Sequence, residues 1–165
     1  MTQENLVKNA NKEVVQNIKM QLFEDPKAHL KYYILVMQKI EKKNMLWVSK
    51  MELLPKTLVL THNSIALAHE DFKYPPLVET TSLPTQFSPT VSTVFHMEDV
   101  ASVRLAEDPH EFKIVFDDNS QSCKEKGVSF WTLLVDDPQE KERLLQVLSD
   151  VWETHFQVPL PVDPN

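Results

Sequence analysis

Apolar and polar positions alternate in short runs through the last third of the chain, then give way to one helical stripe. Ala101, Val103 and Leu105 alternate with Ser102 and Arg104, and Phe112, Ile114 and Phe116 alternate with Lys113 and Val115. A period of two is the signature of a strand with one buried face. Turn formers bound both runs, Asp108-Pro109 after the first and Asp117-Asp118-Asn119 after the second. A loop rich in Ser and Lys, carrying the only glycine, Gly127, leads to a third run over residues 128–135. That run is apolar on both faces, as expected of a strand covered on both sides. Asp137 then stands as an N-cap, with Pro138 at the first helical position and Glu140 three residues after the cap. This is a capping box with a proline start. Leu144, Leu145, Leu148, Val151, Trp152 and Phe156 follow at helical spacing, and Pro159 and Pro161 end any continuation.

The N-terminal residues repeat differently. Leu6, Val7, Ala10, Val14, Ile18 and Leu22 recur every three or four positions, the pattern of an amphipathic helix. Asp25-Pro26 breaks that stripe and offers a cap for a second one, made of Leu30, Tyr33, Ile34, Met37 and Ile40. Together they predict a helical hairpin over residues 1–43, and two such helices need something to pack against. Residues 45–54, with Trp47, Val48 and Met51, predict a first strand, and Pro55-Lys56 a turn. Residues 57–61 and 64–69 predict a strand hairpin about His62-Asn63, since Asn tolerates the positive backbone angles of tight turns. Between 71 and 93 the chain turns Pro-rich (Pro75, Pro76, Pro84, Pro89), which predicts an extended loop; a short strand over 93–97 follows it.

Composition narrows the classes. The chain has 165 residues, 42% of them hydrophobic, enough to bury one core. No apolar run approaches the roughly 18 residues of a membrane helix, and the N-terminus lacks the apolar region of a signal peptide. A single cysteine, Cys123, forbids an intramolecular disulfide and suits a reducing cytosol. The net charge of −7 argues against nucleic acid and weakens attraction to anionic membranes. Six histidines (His29, His62, His69, His96, His110, His155) show no ligand-spaced pair for a metal. Lys124 and Lys126 could lower the pKa of Cys123, but no base accompanies it. With one glycine there is no Gly-rich phosphate loop. No enzyme, cofactor or metal is expected.

From residue 57 to Trp152 the chain resembles a pleckstrin-homology (PH) domain. The strand hairpin is followed by the runs FHMEDVASVRL, EFKIVF and SFWTLLV and by the helix DPQEKERLLQVLSDVW. Residues 94–156 are similar, more narrowly, to the C-terminal PH-like region of leucine-rich-repeat scaffold proteins related to nischarin. Phe130-Trp131 and the closing Trp152-Glu153-Thr154-His155-Phe156 carry that likeness. The resemblance implies an α+β fold, a seven-stranded antiparallel barrel closed by a C-terminal helix, here preceded by the helical hairpin. The domain would span 45–157, with a tail at 158–165. In PH domains a Trp near mid-helix plugs the barrel; here that place falls to Leu144 or Leu145, with Trp152 two turns later.

Function is expected to be non-enzymatic: a protein-interaction module, adaptor or scaffold, of a cytosolic signalling or trafficking protein, possible neighbour of endosomal membranes. PH-like barrels of the phosphotyrosine-binding kind take an extended peptide between the fifth strand and the C-terminal helix. Here Ser102 and Arg104 would edge that groove from the strand, with Lys141 and Leu145 on the helix side. Pairing of Arg104 with Glu107 is the plainer alternative, worth little on a surface. A second expectation is phosphoinositide-dependent membrane targeting through Lys50, Lys56 and Lys73. Against it, Glu52 lies between the first two lysines, Thr57-Leu58 stands where a basic pair belongs, and a polyphosphate headgroup needs several cations. A third is a purely architectural domain of a larger protein.

Overall fold

The computed structural model describes residues 29–43, 49–70 and 87–164. Eight strands form one sheet: β1 (Leu30–Lys43), β2 (Ser49–Thr61), β3 (Ser64–Glu70), β4 (Phe87–His96), β5 (Val100–Leu105), β6 (Glu111–Phe116), β7 (Phe130–Leu134) and β8 (Val162–Asp163). Two helices are inserted, a short α1 (Gln121–Lys126) before β7 and the long α2 (Pro138–Phe156) after it. In space the strands run β4-β3-β2-β1-β7-β6-β5-β8. Antiparallel hairpins build the two halves, and β1 joins them by pairing with β7 at Met37↔Leu134 and Gln38↔Leu133.

The sheet is therefore mixed and open, a correction to the closed, seven-stranded antiparallel barrel expected from the sequence. Its edges are β4 and β8. The chain passes from β4 to β5 through a 3₁₀ turn (Met97–Asp99), and β5 takes β8 as a parallel neighbour instead of β4.

The second helix of the expected hairpin is also corrected, since its stripe residues lie in β1. Tyr32, Ile34 and Val36 alternate into the core, while Tyr33 between them is equally buried on the opposite face. Burial on both faces gives an apolar run in which a period of 3.6 and a period of 2 both find matches. Aromatic and β-branched side chains tip that run to strand. The first helix of the hairpin lies outside the described residues, as does Trp47.

Pro55 is no turn. It sits in β2 opposite Met37, just beyond the end of the β3 pairing. Among the described residues β2 is paired there on one side only, which tolerates a missing N–H. Pro89 likewise lies in the edge strand β4, where the register with β3 jumps from Ala68↔Ser92 to His69↔Ser88. The strand thus begins at Phe87, inside the expected loop, and absorbs the proline in a bulge.

In the C-terminal half β5, β6, β7 and α2 lie where the sequence places them, while the Ser- and Lys-rich loop holds α1 and the tail holds β8. Asp108 and Asp117 shape their turns by accepting from the backbone N–H groups of His110 and Asn119. Phe95 stacks on Phe116 at 4.1 Å between ring centroids, and Trp131 meets both edge-on. Leu144, Leu148, Val151 and Trp152 close this core from α2, so leucines fill the position expected of them. The Trp152 indole N–H donates to the carbonyl of Val100 at 2.7 Å. Asp137 caps α2 by accepting from Gln139 N–H, but Glu140 completes no capping box: its carboxylate accepts from the Tyr32 hydroxyl and from Arg143.

Candidate interaction site

The site with the clearest construction starts at the end of α2. Gln157, the C-cap, takes the left-handed conformation (φ 58°) that turns the chain out of the helix. Pro159 and Pro161 then hold it extended, because their rings fix φ and remove two donors. Leu160 between them is 5% exposed and belongs to the core cluster, while Val158 and Val162 on either side are about half exposed. The extended tail lies along β5. Val103 N–H donates to Pro161 O at 2.9 Å, and the parallel register sets Val103 opposite Val162 and Arg104 opposite Asp163.

Of the residues expected to edge a peptide groove, Ser102 and Arg104 do lie on the strand whose outer edge receives this segment. Arg104 is exposed, and among the described residues it makes no ion pair with Glu107. Across β5 and β6 it stands opposite Lys113, whose ammonium lies 4.7 Å from the ring centroid of the half-exposed Phe130. Asp163, Arg104, Lys113 and Thr132 thus form one row across four strands.

Lys141 and Leu145 lie toward the other end of α2. Trp152, hydrogen-bonded to Val100, marks where the helix meets β5, and Glu140, bonded to Tyr32, marks where it meets β1. Lys141 precedes Trp152 by eleven positions, about 16 Å along a helix rising about 1.5 Å per residue. Leu145 packs against the core. The tail itself, which supplies the extended strand, was missed from sequence. Its only signal was apolar residues spaced between prolines after the helix stop, which resembles any linker.

The second candidate surface is a cleft of about 350 Å³ lined by Gln38, Lys56, Leu67, Thr93 and residues 127–131. Lys56 is the cation in its lining, and burial pushes its ammonium below the usual lysine range. Lys50 is exposed farther along β2, opposite Lys42 in register, and Lys73 lies outside the described residues.

Several other polar groups have structural work. Cys123, expected in an open loop, is buried on α1, where burial pushes its thiol up, against the lowering that the adjacent lysines suggested. Gly127 ends α1 in the left-handed conformation (φ 65°) that favours glycine. His155 bonds the carbonyl of His62 through Nε2 at 2.9 Å, and His110 bonds that of Val135 through Nδ1 at 2.9 Å. Among the described residues no group of His, Cys, Asp or Glu is arranged to hold a metal ion, and no helix is long and apolar enough to cross a membrane.

A half-open sheet of antiparallel hairpins closed at one end by a C-terminal helix is the architecture of PH-like domains, which are generally non-catalytic modules. Residues 29–129 match the family model of the nischarin C-terminal PH domain, more than half of the chain, and the chain belongs to that family. The match begins one residue before β1. Among solved structures the chain is similar to the hSac2 domain of the human phosphoinositide phosphatase Sac2 (11% identity, TM-score 0.54, covering 100% of this chain and 91% of that one). It is also similar to a DH/PH fragment of PDZ-RhoGEF in complex with human RhoA (14%, TM-score 0.53, 92% and 36%). The DH/PH domains of PDZ-RhoGEF in complex with GTP-γ-S-activated RhoA resemble it equally (11%, TM-score 0.52, 93% and 36%). The chain spans about a third of the length of these DH/PH chains. At such identities the likeness is one of fold. No curated protein matches the chain.

Proposed function

We propose that this domain is a non-enzymatic protein-interaction module, an adaptor or scaffold part of a cytosolic signalling or trafficking protein, and that β5 is its docking edge. One observation carries this above all: β5 already receives an extended segment by strand addition, with Val103 N–H bonded to Pro161 O. On its outer side β5 is paired over two residues only, and the backbone donors and acceptors along that side suit any extended chain. Arg104, exposed beside Lys113, supplies an anchor for an acidic group of the partner. Two of the similar folds are in complex with a protein, RhoA, which accords with protein recognition by the fold in general. Attachment at the periphery of endosomal membranes would come through such a partner.

A second reading, phosphoinositide recognition at the Lys56 cleft, is favoured by the cleft's presence and opposed by its cation supply. The deciding experiment is quantitative affinity capture from cytosolic extract with the full chain, the Arg104→Glu chain, and the Lys56→Glu chain in parallel. A partner set lost with Arg104→Glu and retained with Lys56→Glu is the expected result. Loss with Lys56→Glu alone would overturn the assignment of β5 as the docking edge.

A further inference from the structure

We propose that the tail, residues 158–164, is a built-in stand-in for the partner: the β5 groove takes extended peptides of the tail's own chemistry, and the tail keeps it closed until one displaces it. The proposal rests on the reading of β5 as a docking edge and adds the kind of ligand and its regulation. The ligand is an extended segment with a leucine-sized apolar residue flanked by prolines or other extended residues, and a carboxylate three positions further on.

The apolar part of that description is drawn from the burial of Leu160, and the carboxylate from strand register. Leu160 is the tail's one deeply buried side chain, set in the same cluster as Val103, Val151 and Trp152. Val158 and Val162 stay about half exposed, so the groove selects one apolar position and leaves its neighbours open. Asp163 stands opposite Arg104 in register, and Arg104 in turn opposite Lys113; no ion pair joins Asp163 to either among the described residues, so the row leaves both cations open to a partner's carboxylate. Phe130, half exposed beneath the Lys113 ammonium, extends the row beyond what the tail covers.

The same contacts show why the tail is a weak occupant. The pairing with β5 spans two residues, and prolines at 159, 161 and 164 deprive the segment of three of its backbone donors. A partner with ordinary residues at those places makes ladder bonds that the tail cannot. The tail leaves α2 through Gln157, a non-glycine residue in the left-handed conformation, so a strained hinge precedes it. Its single advantage is attachment, which gives it an effective concentration on the order of millimolar. Segments held by few contacts open without global unfolding. An occupied groove lowers the apparent affinity of any competitor by the fraction of time the groove is free.

The test uses a fluorescein-labelled peptide of residues 158–165 and anisotropy titration. One protein is the intact chain, the second the full-length chain carrying Leu160→Asp, and the third that variant with Arg104→Glu added. The unlatched Leu160→Asp chain is expected to bind the peptide at least about tenfold more tightly than the intact chain does. Binding should weaken again with Arg104→Glu, and a peptide carrying Leu160→Asp should bind neither. If the unlatched chain keeps its far-UV circular dichroism yet ignores the peptide, or if intact and unlatched chains bind it equally, the proposal is overturned. Should Leu160→Asp prevent folding, amide exchange of the intact chain decides. Val103 N–H must exchange through a local opening insensitive to low denaturant, ahead of Ile114 N–H in the adjacent strand; exchange of both only on global unfolding overturns the proposal. A partner captured in an Arg104-dependent manner, but equally by intact and unlatched chains, leaves β5 as the docking edge and removes only the gate.

Discussion

Two adjacent tyrosines point to opposite faces of β1, and both are nearly inaccessible to solvent. Tyr32 lies in the core and donates its hydroxyl proton to Glu140 at 2.7 Å; burial first, then that carboxylate, push its pKa well above the tyrosine range. Burial pushes Tyr33 up to about 12. The fold thus favours the protonated phenols, and the unfolded chain releases those protons first. The contribution is complete below the unfolded value of about 10 and is lost as pH rises toward about 12, at about 1.4 kcal/mol per pH unit for each tyrosine in that window. Urea midpoints measured from pH 8 to 11.5 should stay level and then drop beyond about pH 10. Tyr33→Phe should shallow that drop, and a flat profile to pH 11.5 would contradict the burial of these phenols. Trp152 makes a different kind of statement. Its indole N–H is the bond that ties α2 to the start of β5 at Val100. Trp152→Phe keeps an aromatic ring but loses the pyrrole half of the indole, and it orphans a buried carbonyl, which by itself costs about 1–3 kcal/mol. Chemical denaturation reads that loss directly, and a change below about 0.5 kcal/mol would show that the carbonyl finds another donor.

At the scale of elements, α2 carries its boundaries in its own chemistry: Asp137 caps one end, and Gln157 ends the other in the left-handed conformation. An L-residue held there is disfavoured by about 1 kcal/mol, and glycine escapes that penalty while losing more entropy on folding. Gln157→Gly is therefore expected to raise stability by about 0.5 kcal/mol, read as a rise in the thermal or urea midpoint. A fall would mean that the Gln157 side chain itself holds the helix end. The capped helix and the strands β5, β6 and β7 were legible in the sequence because caps, turns and a period of two are local signals. β1 was misread for an opposite reason: Tyr33 is buried as fully as Tyr32, so no polar face marked the strand. Pro55 and Pro89 argued for breaks that the strands accommodate where, among the described residues, they are paired on one side, and pairing is a property of neighbours. β8 was illegible for the same reason. Two residues have no propensity worth the name; Val162 and Asp163 are a strand because Val103 and Arg104 are there to pair with. Ser102 and Arg104 lie on the strand that the sequence pattern marked, and the segment that pairs with that strand was not legible.

For the molecule as a whole, charge bears on the proposed choice between the two surfaces. A net charge of −7 is spread over the chain; Arg104 and Lys113 share a row with Asp163, and the cleft, which reaches Phe130 beside Lys113, counts Lys56 in its lining. Burial already lowers the proton affinity of Lys56, so its positive charge is held at a cost before any ligand arrives. A headgroup bearing several phosphates needs several charge-assisted donors converging on it. Lys50 stands farther out, six positions along the same strand, about 20 Å at the usual rise per residue. That separation exceeds the Debye length of about 8 Å at physiological salt, so Lys50 adds little field at the cleft. Co-sedimentation with liposomes carrying single phosphoinositides at physiological salt should accordingly show no binding above that to neutral vesicles, and Lys50→Glu with Lys56→Glu should change nothing. The acidic remainder of the chain should repel anionic vesicles more strongly as salt is lowered, the reverse of what a basic lipid reader shows. Selective binding that rises at low salt and disappears in the double variant would move recognition from the β5 edge to the cleft, and leave the tail with an architectural role alone.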